Sequence, residues 1–176
     1  MKTDTVYGLH GIAPNSASRL AALKGRKIEK SFLVLLADEA SVRDVTGTMP
    51  PSILSGLWPA PLTIILPIVQ DIADPIAEKG TSLGVRIPGD PALRSIIKDV
   101  GKPIFSTSVN RAGQPPINDF DRIQCEFGPL VDLVVDDGPV AVDLPSTIVD
   151  ATVTPAKLVR SGAVAVTAIQ LAATAG

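Results

Sequence analysis

Short apolar, strand-like runs alternate with helix-like segments along this chain, and that alternation limits its fold more than any other feature. It predicts an α/β domain rather than an all-α or all-β one. Strands are expected at 32–37, 63–68, 83–87, 104–107, 133–135, 147–149 and 157–159. The helix ends are readable. Asn15 or Ser16 can cap a helix closing at Gly25, and Asp90-Pro91 opens one over 92–100 that stops at Gly101. Asp119 starts another over 120–127, and the Ala-rich tail after Thr167 reads as a short terminal helix. Connections of uneven length predict a twisted sheet of mixed parallel and antiparallel strands flanked by helices, not a regular doubly wound one. The sixteen prolines fall mainly between these elements and read as loop stiffeners.

A length of 176 residues, 45% of them hydrophobic, supports one core, so a single domain over 1–176 is expected. Sixteen Lys and Arg against eighteen Asp and Glu give a net charge of -2, so any cationic site must be local. No apolar run approaches the roughly 20 residues of a membrane span, and Met1-Lys2 leads into polar residues rather than a leader. A soluble, cytoplasmic protein is expected. The one cysteine, Cys125, fits a reducing compartment and reads as a buried small apolar residue. Aromatics at 3% argue against a stacking platform for single-stranded bases.

Five polar segments lie in small-residue loops beside strand ends, where ligands commonly bind in α/β folds. Thr3-Asp4-Thr5-Val6-Tyr7-Gly8-Leu9 is, by itself, a capped turn after an edge strand. Lys24-Gly25-Arg26-Lys27 at a helix end is open to two readings, dipole compensation or a polyphosphate clamp. Gly-x-x-x-x-Gly-Lys-Ser/Thr occurs nowhere, so any such clamp is not a P-loop. Ser82 to Pro88 places Arg86 inside an apolar strand, a position that demands an anionic partner or a polar cavity. Ser106-Thr107-Ser108-Val109-Asn110-Arg111 runs from a strand into a turn rich in hydroxyls and amides. Finally, Ser146 at a strand start and Arg160 at a strand end can reach one pocket. His10, the single histidine, reads as an ordinary turn residue, which leaves a Ser-His-Asp triad without support.

Taken in order, these segments resemble the YrdC-like family of threonylcarbamoyl-AMP synthases. The pieces are Thr-Asp-Thr-Val-Tyr-Gly-Leu at 3–9, Lys-Gly-Arg at 24–26, Trp-Pro-Ala-Pro-Leu-Thr at 58–63 and Val-Arg-Ile-Pro at 85–88. Ser-Thr-Ser-Val-Asn-Arg-Ala-Gly at 106–113, Ser-Thr-Ile-Val-Asp at 146–150 and Arg160-Ser161-Gly162-Ala163 complete the set. The chain departs from the family in Ala60 for a usual Gly and in Val109 for a usual Ala. The helix and strand that members usually carry ahead of the Thr-Asp-Thr segment are expected to be missing, as is the carboxy-terminal accessory domain of longer members.

The resemblance implies a nucleotidyltransferase that makes threonylcarbamoyl-AMP and pyrophosphate from L-threonine, bicarbonate and ATP with Mg²⁺. The product would serve threonylcarbamoyladenosine modification of tRNA next to the anticodon, through downstream transfer machinery. Lys24 and Arg26 would be catalytic. ATP would be held by Lys24, Arg26, Ser82, Ser108, Asn110 and Arg160, and threonine by Thr3, Arg86, Ser106 and Ser146. Two rival readings are a paralogue with little synthase activity and a structured-RNA-binding module, the latter through weak RNA binding around Lys24, Arg26, Lys27 and Lys30.

Overall fold

The structure, a computed structural model, describes residues 1–25, 32–69, 80–140 and 144–175. Seven strands form one sheet: β1 (Gly8–Ile12), β2 (Leu33–Leu35), β3 (Leu62–Pro67), β4 (Ser82–Arg86), β5 (Ile104–Ser108), β6 (Thr147–Asp150) and β7 (Lys157–Arg160). Their order is β1-β5-β2-β4-β3-β6-β7. The β2–β4 and β3–β6 pairs are parallel and the other four are antiparallel. The expected mixed α/β sheet is what the chain forms.

The helices are α1 (Ala17–Lys24), α2 (Ala40–Thr46), α3 (Ser52–Ser55), α4 (Pro91–Val100), α5 (Phe120–Phe127) and α6 (Ala168–Ala172). Their ends follow local chemistry. The Asp90 carboxylate accepts from the Ala92 and Leu93 amides while Pro91 fills a position that needs no N–H. Gly25 and Gly101 close α1 and α4 with φ of 65°, a left-handed turn that a side chain would strain. Ser16 flanks α1 but caps nothing with its side chain, which donates to the Ile12 carbonyl at 2.8 Å.

Strand register assembles the core. Phe105, Val34, Val85, Ile64 and Val149 are direct neighbours across five adjacent strands. Each is almost completely shielded from water. Facing residues on paired strands share a side of the sheet, so this row forms one continuous apolar stripe. Leu20 and Leu23 of α1, Val42 and Val45 of α2 and Phe127 of α5 join the same cluster.

Three expectations fail for physical reasons. The run Leu133-Val134-Val135 makes no strand, because no strand among the described residues pairs with it and Leu133 is 76% exposed. His10 lies in a strand, β1, rather than a turn. Gly8 and Gly11 disguise that strand, and they are there for clearance: a Cβ at Gly11 would meet the Ser16 side chain at 2.3 Å. Cys125 is exposed on α5, not buried. Sequence reading also passes over α2, whose β-branched residues are poor helix formers but are anchored by buried Val42 and Val45.

Phe105→Ala removes the largest side chain of the central row and should cost about 3–5 kcal/mol of stability in denaturant titration. Val159→Ala, on the exposed β7, should change it by well under about 1 kcal/mol.

Candidate active site

The face of the sheet opposite the apolar stripe is polar. Alternation puts Gly8 and His10 of β1, Ser106 and Ser108 of β5, and Ser82, Gly84 and Arg86 of β4 on it together. Thr63 of β3 joins them, one step beyond the Ile64–Val85 pair. One end of this face is closed by α4, whose Leu93 and Ile97 pack on Leu35 and Ile104. On the rest of it, small polar side chains lie beside Leu33, Ile65 and Ile148.

One cluster gathers at the end of α1. The buried Lys24 ammonium donates to the Ser108 carbonyl at 2.8 Å and to the Asn110 side-chain oxygen. The same Asn110 oxygen accepts from the Ser108 hydroxyl at 2.7 Å, and the Asn110 amide donates to the Arg111 and Gln114 carbonyls. Two further bonds run between the turn and the helix end: Ala112 N to Lys24 O at 2.7 Å, and Arg111 Nη1 to Leu23 O at 2.6 Å. Helix α1 and the turn after β5 are therefore one unit, with the cation fixed between them. Arg26 lies outside the described residues.

A second cluster surrounds Arg86, which is 3% exposed. The segment ahead of β1 runs past it. Thr5 Oγ1 is 3.5 Å from Arg86 Nη1 and shares a 2.8 Å hydrogen bond with Thr3 Oγ1, while Asp4 Oδ1 lies 3.6 Å from the guanidinium. Burial pulls the Arg86 pKa below its ordinary value, the Asp4 charge acts in the opposite direction, and Arg160 adds a smaller push downward.

Ser146 and Arg160 are in direct contact. Arg160 donates from Nε and Nη2 to the Ser146 carbonyl, at 3.0 and 2.8 Å, and from Nη2 to the Ser146 hydroxyl at 3.0 Å. That hydroxyl also meets Thr63 Oγ1 at 3.0 Å. Gly162 makes the approach possible, since a Cβ there would stand 2.2 Å from the Pro145 carbonyl. Ser82 is half-buried at the far end of β4 from Arg86, about 13 Å along the strand.

Each residue expected at the site is therefore placed, apart from Arg26. Thr3 meets Thr5 beside Arg86, Ser146 meets Arg160, Lys24 meets Ser108 and Asn110, and Ser106 lies buried on the same face between β1 and β2. Four polar residues at or beside this face were given no site role by sequence reading: Asp4, Thr5, Thr63 and His10. A signal existed for Asp4, a carboxylate between two threonines, but its partners come from residues more than eighty positions away.

His10 is more than a turn residue in another respect. Nε2 lies 3.3 Å from the Met1 carbonyl, which can only accept, so Nε2 carries the proton. Nδ1 is shielded from water and has no partner among the described residues. Burial first, then the charges of the amino terminus and Arg86, lower its pKa to about 3. The imidazole is neutral at any working pH.

With this geometry in place, comparison with known proteins places the chain. Its fold is that of an α/β class built on a mixed seven-stranded sheet with one polar face, and residues 1–162 match the family model Sua5/YciO/YrdC, described as "Telomere recombination". The chain belongs to that family. It is 29% identical over 168 residues to the threonylcarbamoyl-AMP synthase of Bacillus subtilis, covering 92% of this chain and 49% of that protein. It is 30% identical over 155 residues to the threonylcarbamoyl-AMP synthase of Marinobacter nauticus, covering 84% and 81%. It superposes with a TM-score of 0.82 on Sua5 from Pyrococcus abyssi complexed with L-threonine, at 26% identity, covering 91% of this chain and 48% of that one. The chain thus spans about half the length of its Bacillus and Pyrococcus relatives.

The depressed pKa of His10 has a measurable sign. The unfolded chain binds this proton near pH 6.5 and the native one only near 3, so stability should fall as pH drops through 6.5. Denaturant titrations at pH 7.5 and 5 should show wild type losing more stability than His10→Gln. Equal losses would mean that His10 titrates normally.

Proposed function

We propose that this protein is an L-threonylcarbamoyladenylate synthase, acting on L-threonine, bicarbonate and ATP to form threonylcarbamoyl-AMP and pyrophosphate. The supporting observation is the presence of two separate buried cations, Lys24 with Ser108 and Asn110 at the end of α1, and Arg86 on the polar sheet face. The chemistry needs two anions held side by side and screened from water, and it needs cations rather than a nucleophile.

In this reading the amine of threonine attacks the carbon of bicarbonate and water leaves, giving a carbamate. A carbamate oxygen then attacks the α-phosphorus of ATP, the bond from that phosphorus to the bridging oxygen breaks, and pyrophosphate departs with the electron pair. Lys24, together with Arg26 of the same motif, faces the triphosphate and stabilises charge on the leaving pyrophosphate. Lys24 is suited to that role because backbone and side-chain bonds to β5 and the turn after it fix its helix end, so little reorganisation accompanies charge development. Ser108, Asn110 and Ser82 line the nucleotide side with Arg160. Thr3, Arg86, Ser106 and Ser146 take threonine, with Arg86 on its carboxylate.

The described residues assemble no cluster of three or more His, Cys, Asp or Glu that fits a metal ion. In this reading Mg²⁺ comes with ATP as its counter-ion, and no residue is assigned to it. The adenylate is destined for threonylcarbamoyladenosine formation on tRNA by separate transfer machinery, with the enzyme working in the cytoplasm. Among the described residues no helix is long and apolar enough to cross a membrane.

The purified protein, given Mg-ATP, bicarbonate and L-threonine, should release pyrophosphate in a threonine-dependent manner and form the adenylate. Lys24→Ala should lower turnover at least about tenfold, the scale of removing one charge-assisted hydrogen bond from the transition state. Pyrophosphate release that is absent or indifferent to threonine would exclude synthase activity.

A further inference from the structure

We propose that Asp4 is a positioning residue for the Arg86 guanidinium, balancing its charge while leaving its donors open for the carboxylate of the amino-acid substrate. This rests on the proposed assignment of Arg86 to threonine. The two side chains are 9% and 3% exposed, yet they stop at 3.6 Å, outside hydrogen-bond range. Asp4 Oδ1 and Arg86 Nε are both shielded from water, and neither has a hydrogen-bond partner among the described residues. A buried pair without function normally closes, because each unsatisfied charged atom carries a desolvation cost.

The structure shows what holds this pair apart. Asp4 Oδ2 accepts from the Gly89 amide at 2.7 Å, so the carboxylate is tied to the turn just after Arg86 and cannot swing onto the guanidinium. Gly89 is restrained in turn by Arg94 of α4, whose Nη1 donates to the Pro88 and Gly89 carbonyls at 2.6 and 2.9 Å. On the other side of Arg86 the contact with Thr5 is long, at 3.5 Å. Among the described residues, the hydrogen bond that restrains the Asp4 side chain falls on Oδ2, the oxygen that does not face Arg86. The guanidinium is thereby kept charged and oriented without being captured, the condition under which a planar fork binds a second carboxylate bidentately.

The test uses the whole chain and the pyrophosphate-release assay, titrating threonine and ATP separately. Asp4→Asn should raise the threonine concentration for half-maximal release about tenfold or more, leaving the ATP requirement and threonine-saturated turnover within about twofold. Asp4→Glu should recover most of the loss. Arg86→Gln and the double variant Asp4→Asn/Arg86→Gln should weaken threonine equally, because Asp4 acts only through Arg86. If Asp4→Asn does not fold, the double variant, which removes both charges, is compared with Arg86→Gln alone. Equal weakening of ATP and threonine in Asp4→Asn, or additive losses in the double variant, would overturn the proposal. Wild-type protein that neither releases pyrophosphate in response to threonine nor binds threonine in calorimetry would instead overturn the functional assignment on which it rests.

Discussion

The site depends on the strict period of two in the sheet. Val34, Val85, Ile64 and Val149 occupy one side of four neighbouring strands, so the residues between them must face the other way. Arg86, next to Val85, and Thr63, next to Ile64, are on the polar side because their neighbours are in the core. A slip of one residue in β4 would bury the Arg86 guanidinium in the apolar stripe and turn Val85 out of it. Hydrophobic burial of the core row therefore sets the position of the polar row.

Helix packing divides the polar face. Helix α4 covers the end near Leu35 and Ile104, and its Arg94 reaches back to the turn that follows Arg86. Helix α1 lies on the other side of the sheet with its last residue, Lys24, drawn to the turn beyond β5. Two helices on opposite faces thus each deliver a cation to loops at the sheet's margin. The glycine that ends α1 with positive φ lets the chain leave just after the lysine has been placed.

Much of this was legible in the sequence, for stated reasons. The strands from β2 to β7 and the capped helices α1, α4 and α5 carry local signals, either apolar runs or Asp and Gly at their ends, and they lie within a residue or two of expectation. Strand β1 was hidden because its glycines serve clearance to Ser16 and His10 and lower its apparent strand character. The run at 133–135 misled because apolar composition does not supply a pairing partner. At the candidate site, the residues were singled out by polar chemistry beside strand ends, and their roles came from the family resemblance. Their partners could not be read in this way: the Asp4–Gly89, Thr63–Ser146 and Lys24–Asn110 contacts all join residues that only the folded sheet brings together. The shielding of His10 Nδ1 was likewise invisible, since the preceding segment folds back to the ring through the Met1 carbonyl.

Gly162 has a mechanical consequence. Its Cα rests against the backbone of Pro145, Ser146 and Thr147, and the Ala163 amide donates to the Pro145 carbonyl at 3.0 Å. Arg160 holds the same Ser146 from the other direction. The segment leaving β7 and the segment entering β6 are therefore clamped to each other at two points, although β7 itself is an exposed edge strand. An edge strand is ordinarily the most compliant part of a sheet, free to fray or twist. Here its outward motion would have to drag Ser146 along, so the margin of the sheet and the Ser146 hydroxyl move as one stiff body rather than as a loose flap.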